Sequence, residues 1–113
     1  MRRRERVWLL GVCIAGLATL PAAETDLDPW TVDHFRQAIE AQKAKQFDQA
    51  AQQYRLVLSK NPRFAEAYMN LGIGYRMTGD AAAAERAFAA AVSLRPASPD
   101  ARAALREVRR ASR

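Results

Sequence analysis

His34 is the only histidine in the chain and Cys13 the only cysteine, so the side chains most used for metal binding, proton transfer and thiolate chemistry occur once each. Any His-based metal site or Ser/His/Asp relay would have to be built around His34. Its nearest carboxylate, Asp33, is adjacent in sequence and so projects about 100° away on a helix, where it cannot orient the ring. A helical histidine held by a neighbour, or simply exposed, is the plainer reading. The carboxylates show no paired arrangement for general acid–base work. Gly72 and Gly74 fall inside a helical pattern with no strand before it, and read as packing glycines rather than a phosphate cradle. No catalytic residue, metal ligand or cofactor is expected, which leaves binding.

Charge is the next candidate for chemistry. The formal net charge is +6, but much of it sits at the start of the chain. Without residues 1–23, which carry Arg2, Arg3, Arg4, Arg6 and Glu5, 14 basic residues face 11 acidic ones and the excess falls to +3. That is a poor footprint for a nucleic-acid binder, and none is expected as a partner.

Residues 1–23 have the order of an export signal: a basic opening, an uncharged stretch of 14 residues from Val7 to Leu20, and small residues up to Ala23. Arginines stay on the cytoplasmic side while the apolar segment enters the bilayer. The stretch is shorter than the roughly 20 residues of a spanning helix. It therefore reads as a signal peptide cleaved after Ala23, with a second small-x-small site at Gly16-Leu17-Ala18. The alternative is an uncleaved signal anchor. Either way the folded part is expected beyond the cytoplasm, periplasmic or secreted, and meets a membrane only if the leader is kept. Leu10-Gly11-Val12-Cys13 loosely suggests a lipidation box, but valine before the cysteine fits poorly. Loss of the leader would remove the only thiol, and with it disulfides and cysteine metal sites. Residues 24–30, with Glu24, Asp26, Asp28 and Pro29, read as an acidic linker or helix start.

The elements that must position any binding surface show themselves at an offset of 34 residues. That shift aligns Pro62 with Pro96, Ala50 with Ala84 and Tyr54 with Phe88. Each block carries two amphipathic helical patterns, predicted over 31–44, 47–60, 65–78 and 81–94. Gly79 can take the left-handed conformation that closes a helix, and Asp80 can cap the next one. Asn61-Pro62 and Arg95-Pro96 stop the second helix of each block. Antiparallel helices approach closely where a small side chain meets a bulky one. Gly72 and Ala84, surrounded by Tyr68, Leu71, Tyr75 and Phe88, supply that contrast in the second block, and Ala38, Ala50, Phe47 and Tyr54 in the first. The fold class expected is all-α.

The run from Ala65 to Tyr75, followed by Gly79-Asp80, Ala84, Phe88 and Pro96, resembles a tetratricopeptide repeat. The preceding block resembles it through Phe47, Asp48, Ala50, Tyr54 and Pro62. Its first helix departs from the pattern: His34, Gln37-Ala38 and Ala41 replace the usual aromatic, Leu-Gly and Tyr. The resemblance implies a short α-solenoid of two helix–turn–helix repeats, 31–64 and 65–98, with 99–113 as a C-terminal capping helix behind the signal or anchor helix. In the cap, Ala101, Ala104, Leu105 and Val108 form an apolar stripe, and Arg102, Arg106, Arg109 and Arg113 share the opposite face. Such arginines suit solubility and the negative end of a helix, with an acidic partner or anionic headgroups as the alternative.

In this family the first helix of each pair lines a concave face that binds a peptide or a partner helix. The resemblance then implies a groove of Val32, Phe35, Ile39, Gln42 and Lys43 from the first block, and Glu66, Met69, Asn70, Ile73, Arg76 and Met77 from the second. Six of these eleven are apolar, so a protein partner with an amphipathic helix or apolar peptide is expected; self-association into a homo-oligomer would cover the same face. Some members grip a C-terminal carboxylate through Lys, Asn and Arg. Here only Asn70 matches, because Phe35, Ile39, Asp100 and Ala104 stand in the other places. Two repeats and a cap bury little surface, so stability is expected to rise with a partner or a second copy.

Overall fold

The computed structural model describes residues 27–112. Residues 1–23, expected as a leader, the start of the expected linker and Arg113 lie outside the described residues. Among the described residues there are five α-helices and no strand: α1 (Pro29–Lys43), α2 (Phe47–Lys60), α3 (Ala65–Thr78), α4 (Ala81–Leu94) and α5 (Pro99–Ala111). Each helix packs against the next, and α1 also touches α3.

The expected boundaries of α2, α3 and α4 coincide with the observed ones, and the start of α1 shifts for a visible reason. α1 begins at Pro29, two residues before the predicted start. The Asp28 carboxylate accepts from the Thr31 backbone N–H at 2.9 Å and Pro29 occupies the first helical turn, where its missing donor costs nothing. The linker therefore loses Pro29 and Trp30 to the helix. Asp28 also receives Lys60 Nζ at 2.9 Å. The Thr31 and Lys60 hydrogen bonds together hold its carboxyl well below the usual carboxylate range.

The 34-residue recurrence extends to the backbone. At the first turn Lys45 N–H donates to Gln42 O and Gln46 N–H to Ala41 O; at the second, Gly79 N–H donates to Arg76 O and Asp80 N–H to Tyr75 O. Both are the paired closing bonds of a Schellman motif, which needs one left-handed residue. Glycine supplies it at position 79 with φ 89°, and a lysine supplies it at position 45 with φ 63°. The first turn thus has the same geometry without its glycine. Past the second helix of each block, Asn61 N–H donates to Val57 O and Phe64 N–H to Asn61 O, repeated by Arg95 to Ala91 and Ser98 to Arg95.

Two apolar clusters form the interior. The first gathers Ala38, Ala50, Tyr54, Val57, Leu58, Phe64, Ala67, Leu71 and Ala87 between α1, α2, α3 and α4. The second gathers Ala84, Phe88, Leu105 and Val108 between α4 and α5. Gly72 lies under the Phe88 ring: a Cβ there would sit 2.6 Å from Phe88 Cε1. The close approach between α3 and α4 is therefore made by Gly72 and Phe88, with Ala84 one turn before Phe88 in the same helix. Gly74 is different, since a Cβ there would meet only Phe47 at 3.9 Å, an ordinary contact. Both glycines are buried where helices pack, as expected, but only at Gly72 does the opposing side chain exclude a Cβ.

On α5, Ala101, Leu105 and Val108 are buried, while Ala104 packs at the edge of the second cluster. Arg102, Arg106, Arg109 and Arg110 are exposed. α5 begins 34 residues after α3 and has no following helix among the described residues. At the position of Gly72, where α3 receives Phe88, α5 carries Arg106. A charge there suits a helix whose outer side meets water.

Candidate partner-binding face

The side chains expected to line a groove fall into three groups by what they touch. Phe35 and Ile39 lean on the first cluster, and Met69 and Ile73 on the second. All four are half-buried. Phe35 is the most committed, with its ring centroid 4.7 Å from that of Phe64 and 5.9 Å from that of Tyr54. These residues supply apolar surface while anchoring their helices.

The second group is polar and tied through Tyr54. Its hydroxyl donates to Gln42 Oε1 at 2.7 Å, and Asn70 bonds to it from the neighbouring block. Burial pushes the Tyr54 phenol up to about 12, with the Asn70 hydrogen bond acting in the opposite direction. Gln42 and Asn70 are thus joined by one buried phenol across two blocks. The sequence points to Gln42 and Asn70 separately; the hydroxyl that links them belongs to α2, where spacing alone marks Tyr54 as packing.

The third group is open to solvent. Val32 is 43% exposed and Met77 56% exposed. Lys43 and Glu66 are also exposed, as is Arg76, which reaches Glu107 on α5 at 3.2 Å. That ion pair links α3 to the last helix at the charged edge of the face. Surface pairs of this kind contribute little to stability, so its consequence is positional.

His34 has a structural explanation. Its Nδ1–H donates to Gln53 Oε1 at 2.6 Å, and its ring lies 4.2 Å from that of Trp30. Trp30 in turn carries Lys60 Nζ over its face at 4.7 Å. These contacts tie the start of α1 to the end of α2, together with Asn61 Nδ2–H donating to the buried Thr31 hydroxyl at 2.8 Å. Asp33 turns away from His34 and pairs with Arg36 at 2.9 Å. Among the described residues no group of three metal-ligating side chains comes together, and no helix is long and apolar enough to cross a membrane.

No protein-family model matches the chain, and no curated protein matches it.

Proposed function

We propose that the chain is an exported tetratricopeptide-type protein that binds another protein along the surface shared by α1 and α3. The observation carrying this reading is the pair of exposed apolar side chains, Val32 and Met77, flanking a row of half-buried ones on helices that occupy equivalent places in the 34-residue frame. Exposed methionine and β-branched side chains bordered by Lys43 and Arg76 suit an amphipathic helix or apolar peptide with acidic flanks. The finer architecture of two repeats and a cap is supported by the recurring turn hydrogen bonds. Export is supported by the composition of residues 1–23.

The contacts of Phe35 dictate how to test this. A Phe35→Glu change would bury a charge beside Phe64 and Tyr54 and damage the fold. Val32→Glu and Met77→Glu act on exposed side chains and should keep helical content. Capture of a partner from the envelope fraction should be abolished by the pair of changes. Undiminished capture by that variant would refute the groove. The mass of the protein in the same fraction reads the leader directly, with cleavage after Ala23 expected.

A further inference from the structure

One buried hydroxyl fixes the direction of two side-chain amides on the proposed binding face. The Tyr54 phenol has a single hydrogen, which it donates to Gln42 Oε1 at 2.7 Å. Towards Asn70, bonded to the same oxygen, the phenol can only accept, so the Asn70 nitrogen is the donor. An amide carries its oxygen and its nitrogen on opposite sides of its carbon. Gln42 therefore turns its Nε2 away from the phenol, and Asn70 its Oδ1. Exchanging the roles of the two amides would leave the same result, one nitrogen and one oxygen directed outward. Among the described residues neither outward atom has a hydrogen-bond partner, and both side chains are half-buried. Half-buried polar groups of this kind are completed by water or by a ligand.

The pair matches a particular ligand group. In an extended chain the N–H and C=O of one residue point to the same side, as in the hydrogen-bonded pairs of an antiparallel ladder. The Gln42 and Asn70 atoms that bond the phenol stand within about 6 Å of each other, two hydrogen-bond lengths. Gln42 Nε2 can then donate to such a residue's C=O while Asn70 Oδ1 accepts from its N–H. A helix offers neither group along its length, because its N–H and C=O are spent on each other. Ile39 and Ile73 stand one turn from the two amides and are half-buried, which gives apolar surface to the side chains of neighbouring residues.

We infer that Gln42 and Asn70 grip the backbone of one residue in an extended apolar segment of the partner, with Tyr54 as the positioning residue that aims both amides. The inference rests on the proposed partner-binding role and decides between its two ligands, for an extended peptide and against a helix.

The test is an NMR titration of the full chain with N-acetyl-leucyl-valyl-leucine amide, followed at the side-chain amides of Gln42 and Asn70. Three analogues each replace one backbone N–H of the peptide by an ester oxygen. Saturable shifts at both side-chain amides are expected with the parent peptide. One ester analogue should bind about tenfold weaker, a loss of about 1.4 kcal/mol, and the other two within about twofold of the parent. Asn70→Leu should bring the parent down to the weak analogue and erase the difference between them. Tyr54→Phe should shrink the same ratio, because the amides lose their common anchor, whereas a merely structural role would weaken all four ligands alike. Absent shifts at the two amides, esters that all bind like the parent, or a ratio that survives Asn70→Leu would overturn the inference. Binding of a synthetic amphipathic helix of leucine, glutamate and lysine in place of the tripeptide would keep the α1–α3 face and discard the amide grip. Ester discrimination in a chain that captures no partner would keep the amide grip and discard the partner-binding role.

Discussion

Replacing Gly72 with alanine would place a carbon 2.6, 2.7 and 2.9 Å from Phe88 Cε1, Cδ1 and Cζ. Carbon atoms pack at about 3.5–4.0 Å, so the ring would have to retreat by roughly an ångström. Phe88 is fully buried with no exposed surface, and its helix is pinned against α5 by Leu105 and Val108, so retreat is resisted. Overpacking of this kind costs about 1–3 kcal/mol, and the inflexible ring places it at the upper end. Alanine returns about 1 kcal/mol through its better helix propensity, leaving a net loss of about 2 kcal/mol. Gly74→Ala makes the same propensity gain and meets only Phe47 at 3.9 Å, so it should stabilise by about 1 kcal/mol. The two substitutions, close together on one helix, should thus move stability in opposite directions and differ by about 3 kcal/mol. Thermal unfolding followed by circular dichroism resolves this, since 1 kcal/mol shifts Tm by about 4–8 °C in a domain of 60–100 residues. Combining Gly72→Ala with Phe88→Leu should give less than the sum of the two losses, because leucine vacates part of the contested space. A neutral or stabilising Gly72→Ala, or additive losses in the double variant, would refute the close α3–α4 approach.

Lys45→Gly removes a side chain from a left-handed residue at φ 63° and should stabilise by about 0.5–1 kcal/mol, read from the urea midpoint. Tyr54→Phe deletes the hydroxyl that serves Gln42 and Asn70 and should cost about 1 kcal/mol. The Tyr54 phenol is held at about 12 in the fold against an ordinary 10.0. Its contribution is therefore complete below pH 10 and disappears as pH rises toward 12, and Tyr54→Phe should abolish the highest-pH component of tyrosinate absorbance. Asp28 behaves oppositely. Its depressed carboxyl stabilises above its ordinary value of 3.8 and loses that contribution as pH falls below it, so acid unfolding of Asp28→Asn should be less steep than that of the unaltered protein.

Much of the helical plan is legible in the sequence because its punctuation is chemical. Pro62 and Pro96 end helices, Gly79 and Asp80 mark a turn, and the helices over 47–60, 65–78 and 81–94 fall where those residues put them. The start of α1 is readable only in part: Asp28-Pro29 can begin a helix or end a linker, and the hydrogen bond to Thr31 decides it. The turn between the first two helices is placed by the break in periodicity, but its left-handed residue carries no signal, since a lysine at φ 63° looks like any surface lysine in the sequence. Apolar spacing places Phe35 and Val32 on one helix but does not say that Phe35 is taken up by Phe64 while Val32 stays in water. Nor does it separate Gly72 from Gly74, which differ only in what stands opposite.

The most direct measurement is photo-crosslinking in the native cell, with a photoreactive amino acid at Val32, Met77 or Leu56. Leu56 lies on α2 and is 43% exposed, the same as Val32, so it reports encounters due to exposure alone. Discrete adducts of one mass from positions 32 and 77, and none from position 56, are expected. Equal adducts from all three positions, or from position 56 only, would contradict a binding surface on α1 and α3.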